Sequence, residues 1–144
     1  MSSIKALSLV VLASLVSACG LLGGPGPIER SLSSASVGQS VDTSGWCAGS
    51  WQYVLVVPPY WDQDSVNEAL GFAWPGYKGT GQDMRDDVNL FICVSSGTVT
   101  SSESVPRQTA FLPTNDILTI KRDASSVSVK EDGGRRYLEV TERP

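Results

Sequence analysis

Gly45-Trp46-Cys47-Ala48-Gly49 has the spacing of a nucleophile elbow, in which flanking glycines let a sharp turn expose the central side chain. A thiol there needs a general base within hydrogen-bond reach, ordinarily His, and the chain contains no His. The same absence excludes Ser-His-Asp catalysis, His-ligated zinc and haem, and His-based pH switching. A half-cystine in a glycine turn is the better reading of Cys47. Carboxylates are the other reactive set: Asp62, Asp64, Glu68, Asp83, Asp86 and Asp87. A paired-carboxylate hydrolase needs two of them across a cleft. Asp62-Gln63-Asp64 opens like a calcium loop, but Val66 stands at position five, Asn67 at the glycine position and Ala73 at the closing glutamate. A looser oxygen site at Asp83, Asp86 and Asp87 is the alternative to solvated loops. Gly76-Tyr77-Lys78-Gly79-Thr80-Gly81 lacks the Gly-Lys-Ser/Thr ending of a phosphate loop. We therefore expect no enzyme, no metal and no cofactor.

Aromatic side chains are distributed more unusually than the acids. Trp46, Trp51, Tyr53, Tyr60, Trp61, Phe72, Trp74 and Tyr77 fall within one third of the chain, and the stretch from Pro58 to Val88 is aromatic, acidic and broken by Gly and Pro. Such an insertion in a small domain is either one end of the core or a binding surface. On the second reading Tyr60, Trp61, Trp74 and Tyr77 are the anchors, against a protein or a sugar ring.

The elements that must position these groups are legible further along. Gln52–Val57 and Asn89–Val94 are continuous apolar strands, the second apolar on both faces and so central. Ser95-Ser96-Gly97 turns the latter into the Ser/Thr-rich run 98–104, an edge strand. Thr109–Leu112 can add a further strand. Ile117–Arg122, Val127–Glu131 and Arg135–Thr141 predict a three-stranded antiparallel meander, with Val127, Val129, Leu138 and Val140 on one face. Ser65 with Glu68 three residues on predicts one short helix with Val66, Ala69, Leu70 and Ala73 on its apolar face. The fold class is all-β and mainly antiparallel: a small β-sandwich or partly open barrel with one short helix.

The N-terminus carries an address. Met1–Lys5 holds one positive charge, and Ala6–Val16 is an apolar run that rises only about 16 Å as a helix, too short to span a bilayer. It reads as a secretory signal. Leu15-Val16-Ser17-Ala18-Cys19 then resembles the lipobox of bacterial lipoproteins. That resemblance implies a signal peptide over 1–18, cleavage before Cys19, and a lipid on Cys19. Gly20 in place of an Asp implies sorting to the outer membrane, on its periplasmic face. With Cys19 taken by lipid, Cys47 and Cys93 remain as an even pair in an oxidising compartment. A disulfide is the expected state; two buried thiols or a two-Cys metal site are the alternatives. Residues 19–45, with six Gly, six Ser and two Pro after Cys19, read as a flexible tether, although Val37 and Val41 can lend a short edge strand. The folded domain is then 46–144.

Charge adds little. The formal net charge is −4, which argues against a nucleic-acid partner. Lys121, Arg122, Lys130, Arg135 and Arg136 are interleaved with acids and read as a mixed solvated face. The expectation is a non-enzymatic, membrane-anchored lipoprotein that docks on an envelope protein complex. The alternatives are a glycan, peptidoglycan or small-ligand binding module, or an inhibitor or immunity lipoprotein.

Overall fold

The apolar runs 53–57 and 88–95 pair because each is buried on both faces and only a central position in a sheet satisfies their backbone groups. The computed structural model describes residues 23–144. The expected signal peptide (1–18) and lipid-bearing Cys19 lie outside the described residues. Strand β1 (Tyr53–Val57) lies antiparallel to β2 (Val88–Ser95), and β2 to β3 (Thr98–Pro106). Strand β4 (Leu118–Lys121) pairs with the other side of β1, so the sheet order is β3-β2-β1-β4. The Ser/Thr-rich strand is an edge, as its composition requires. Its hairpin with β2 turns on Ser96 and Gly97, both at positive φ, as a two-residue turn demands.

Strand β5 (Ser125–Asp132) and β6 (Arg135–Glu142) form a second, two-stranded antiparallel sheet turned by Gly133 and Gly134, also at positive φ. Val127 pairs with Val140 and Val129 with Leu138, placing all four toward the core. The expected three-stranded meander is corrected. Its first strand, β4, leaves the other two and covers the free side of β1, where a non-local partner satisfies a backbone edge that would otherwise stay open. Thr109–Leu112 forms no strand; Phe111 alone bridges to Tyr137.

Alternation along the strands splits the core in two. Val54, Val56, Phe91, Cys93, Val105 and Ile120 face the β5–β6 layer together with Trp46 and Trp51. Leu55, Val57, Leu90, Ile92 and Val94 face the opposite side, covered by helix α2 (Gln63–Leu70) and helix α3 (Tyr77–Thr80) through Val66, Leu70 and Tyr77. Helix α2 is the one predicted, with a different start: Asp62, not Ser65, is the cap, its carboxylate accepting from the Ser65 N–H at 2.7 Å. Ala69 and Ala73 are exposed, so the buried face is narrower than the pattern indicated.

The flexible tether expected over 19–45 is corrected for its described part, 23–45. Pro27–Ser34 is a further helix, α1, which buries Ile28 and Leu32 in the core. Eight residues of this composition do not hold a helix alone. Burial of two side chains one turn apart, at about 1.5–3 kcal/mol each, supplies most of what is missing. The rest comes from distant caps: Glu103 accepts the Ile28 and Glu29 N–H groups, and Arg136 donates to the Leu32 and Ala35 carbonyls. The stretch 38–41 then runs along β5, with Gly38 and Val41 donating to Val129 and Val127, so the expected short edge pairing is present. The folded unit accordingly begins some twenty residues before Trp46.

Cys47 and Cys93 are joined in a disulfide, with their Cα atoms 6.0 Å apart. No helix among the described residues is long and apolar enough to cross a membrane.

Candidate functional site: the loop end of the sheet

Because the sheet is antiparallel, one of its ends receives the last residue of β1 and β3 and the first of β2 and β4. The two long connections, 58–87 and 107–117, both lie there, and the Gly133-Gly134 turn reaches it through Phe111 and Arg135. Hydrogen bonds lock these loops together. The Tyr60 N–H donates to Gln82 O, Trp61 Nε1 to Asn115 O, and the Arg107 N–H to Asp87 O. Gln82, fully buried, donates from Nε2 to both Val57 O and Val88 O at 3.1 Å, tying the two strand ends from which the aromatic loop springs.

The disulfide does not hold the ends of this loop. Cys93 lies opposite Val54, inside the sheet, whereas the loop leaves from Val57 and Val88. Gln82 clamps the loop ends; the bridge pins the segment before β1 to the middle of β2.

The four expected anchors separate into different fates. Tyr77 is 1% exposed and is core: its hydroxyl donates to Trp61 O at 2.6 Å, and burial, followed by the charges of Asp83 and Asp62, pushes its ionisation up to about 12. As a surface anchor it is ruled out. Trp61 and Trp74 are half-buried against the α2 side of the core, with the Trp74 ring tilted beside Tyr77 at 6.4 Å. Tyr60 alone stands free, 64% exposed, with its backbone in the left-handed region at φ 67°. A bulky non-glycine residue held there stores strain that the surrounding loop must overcome. Met84, 82% exposed, follows two residues after the Gln82 that receives the Tyr60 N–H. Tyr60 and Met84 are thus two large apolar side chains displayed on one hydrogen-bonded frame.

Two of the acids around them are engaged locally. Asp62 caps α2, which holds its carboxyl below the usual range, and Asp87 forms an ion pair with Arg85 at 2.8 Å, with the same effect. No group of three metal-binding side chains occurs among the described residues.

Beside this frame lies a groove that sequence reasoning missed. Two adjoining hollows of about 530 and 510 Å³ share Phe111, Gly133 and Arg135, and Arg107, Asp86, Asp132 and Tyr137 complete their walls. Comparison with family models, curated proteins and solved structures returns no match. The chemistry of this end of the molecule therefore rests on its own residues. Arg107 and Arg135 both stack on Phe111, their guanidinium carbons 4.7 and 4.9 Å from the ring centre. The sequence signal was only the pairing of basic residues with one aromatic across 28 positions, which no periodicity reports.

Proposed function

We propose that the chain is a lipoprotein of the bacterial cell envelope, attached to the outer membrane by lipid on Cys19 and docking through its loop end onto an envelope protein, without catalysing a reaction. The observation that carries this is the display of Tyr60 and Met84. Large apolar side chains on rigid, preorganised loops are what a protein partner buries at the centre of an interface. The lipobox-like Leu15–Cys19 run and a disulfide in the domain agree with an exported protein. Helix α1 shortens the leash: eight peptide steps from Cys19 to Pro27 reach at most about 29 Å, so the domain works close to the membrane. A glycan platform is less well supported, because Tyr77 belongs to the core and Trp61 and Trp74 are half-buried in it.

The test has two parts. Radiolabelled palmitate should enter the wild-type chain in bacterial cells and not the Cys19→Ala variant. A photo-crosslinking amino acid at position 60 or 84 should capture one envelope protein, and the same group at position 98, on the opposite end of the sheet, should not. Absence of label removes the anchor; equal capture from all three positions, or none, removes the docking face.

A further inference from the structure

The groove, which Asp86 borders two residues after Met84, holds two cations that pair with no carboxylate among the described residues. Arg135 lies opposite Asp132 in the β5–β6 register, yet the two form no ion pair; among the described residues the pairs are Arg85–Asp87 and Lys130–Glu139. The Arg135 guanidinium leans on Phe111 instead. Arg107 donates from Nη1 to Asp86 O at 3.0 Å, and its Nε is buried without an acceptor, so the face of Phe111 is its main compensation. Arg136, the third cation on these walls, is already committed to the carbonyls of α1. The result is two guanidinium groups against one aromatic ring, lining an open hollow.

Guanidinium forks match carboxylates two oxygens at a time, and the ring beneath favours a ligand with an apolar stem. Asp86 and Asp132 line the same hollows and subtract charge, which disfavours a polyanion or a phosphate dianion relative to a single carboxylate. We infer that the Arg107–Phe111–Arg135 groove receives a carboxylate-bearing peptide segment of the docking partner. This rests on the docking function proposed above and names the chemistry of what docks.

The experiment uses the full-length chain in detergent and three probes: a short fluorescein-labelled, C-terminally amidated Leu-rich peptide carrying one Glu, its counterpart with Gln at that position, and inorganic phosphate as competitor. Anisotropy should show saturable binding of the Glu peptide, at least tenfold weaker binding of the Gln peptide, and little displacement by equimolar phosphate. Arg135→Gln should weaken the Glu peptide about tenfold, the loss of one charge-assisted bidentate contact. Arg135→Lys, which keeps the charge and removes the fork, should recover only part of it. Arg135 is exposed, so both variants keep the fold, which unchanged thermal melting would verify. Equal binding of the two peptides, an affinity untouched by Arg135→Gln, or full displacement by phosphate overturns the inference. A crosslink from position 60 that survives Arg135→Gln together with any of those outcomes removes the groove and leaves the docking face standing.

Discussion

Glu103 caps the N-terminus of helix α1 from far along the chain: its carboxylate accepts the N–H of Ile28, 75 residues earlier, at 3.0 Å and the Glu29 N–H at 2.8 Å. Gly26 makes room for it, since a Cβ there would fall on the Glu103 carboxylate. The charge also sits where a helix presents its partial positive end. Glu103→Ala should therefore lower stability by about 1–2 kcal/mol. Gly26→Ala should do the same by displacing the carboxylate. Limited proteolysis between residues 27 and 45 checks both, because α1 should become cleavable while the sheet stays resistant.

Gln82 carries more. Replacing it with Leu leaves Val57 O and Val88 O without their side-chain donor in a buried place, which costs about 2–4 kcal/mol. Urea unfolding would measure this, and crosslinking from position 60 should fall with it. A loss under 0.5 kcal/mol would mean that the loop ends are held by something else.

Tyr60 should show the opposite trade. Tyr60→Gly relieves a left-handed backbone at φ 67° but gives the unfolded chain more freedom, so stability should change by less than about 1 kcal/mol. Partner capture from position 84 should nevertheless drop sharply. A large destabilisation would assign Tyr60 to the fold and not to docking.

Tyr77 makes stability fall in alkali. Its phenol stays protonated in the folded state up to about pH 12, whereas in the unfolded chain it ionises near its ordinary value of about 10. Above pH 10 the unfolded state binds fewer protons, so stability drops as pH rises from about 10 to about 12. Tyr77→Phe should reduce the decline between pH 10 and 11 by about 1 kcal/mol. At pH 7 it should lose only the hydrogen bond to Trp61 O, and urea titrations at pH 7, 10 and 11 separate the two effects.

Reduction of Cys47–Cys93 should lower the melting temperature by more than 10 °C. Closing a 46-residue span is worth roughly 4 kcal/mol, and each kcal/mol moves a domain of this size by about 4–8 °C. Binding at the loop end, measured below the new melting point, should be almost unchanged, because Gln82 holds that loop. Parallel loss of stability and binding would assign the clamp to the disulfide.

What was legible in the sequence was whatever is local or arithmetical. Val54–Val57 and Leu90–Val94 announce buried strands through unbroken apolar character, Ser96-Gly97 and Gly133-Gly134 announce hairpins, and three cysteines with one assigned to lipid leave a pair. The errors share a physical cause. Helix α1 depends on Glu103 and Arg136, and β4 on the free side of β1, so their stabilising partners lie too far along the chain for composition or periodicity to register. Pro27 with Ile28 and Leu32 four apart was the one local sign of α1. Aromatic content could not separate Tyr77, in the core, from Tyr60, in solvent, because both fates draw on the same surface area. The Arg107–Phe111–Arg135 groove is assembled from two loops and a hairpin turn, and only folding brings it together.

The two clasps on helix α1 also fix an order of events. A chain made from its N-terminus produces Ile28 and Leu32 early, but Glu103 follows Ile28 by 75 positions and Arg136 follows Leu32 by 104. The earliest apolar pair of the domain is thus capped only by residues made much later, so its helix cannot be clasped at both ends until the last strand has been made.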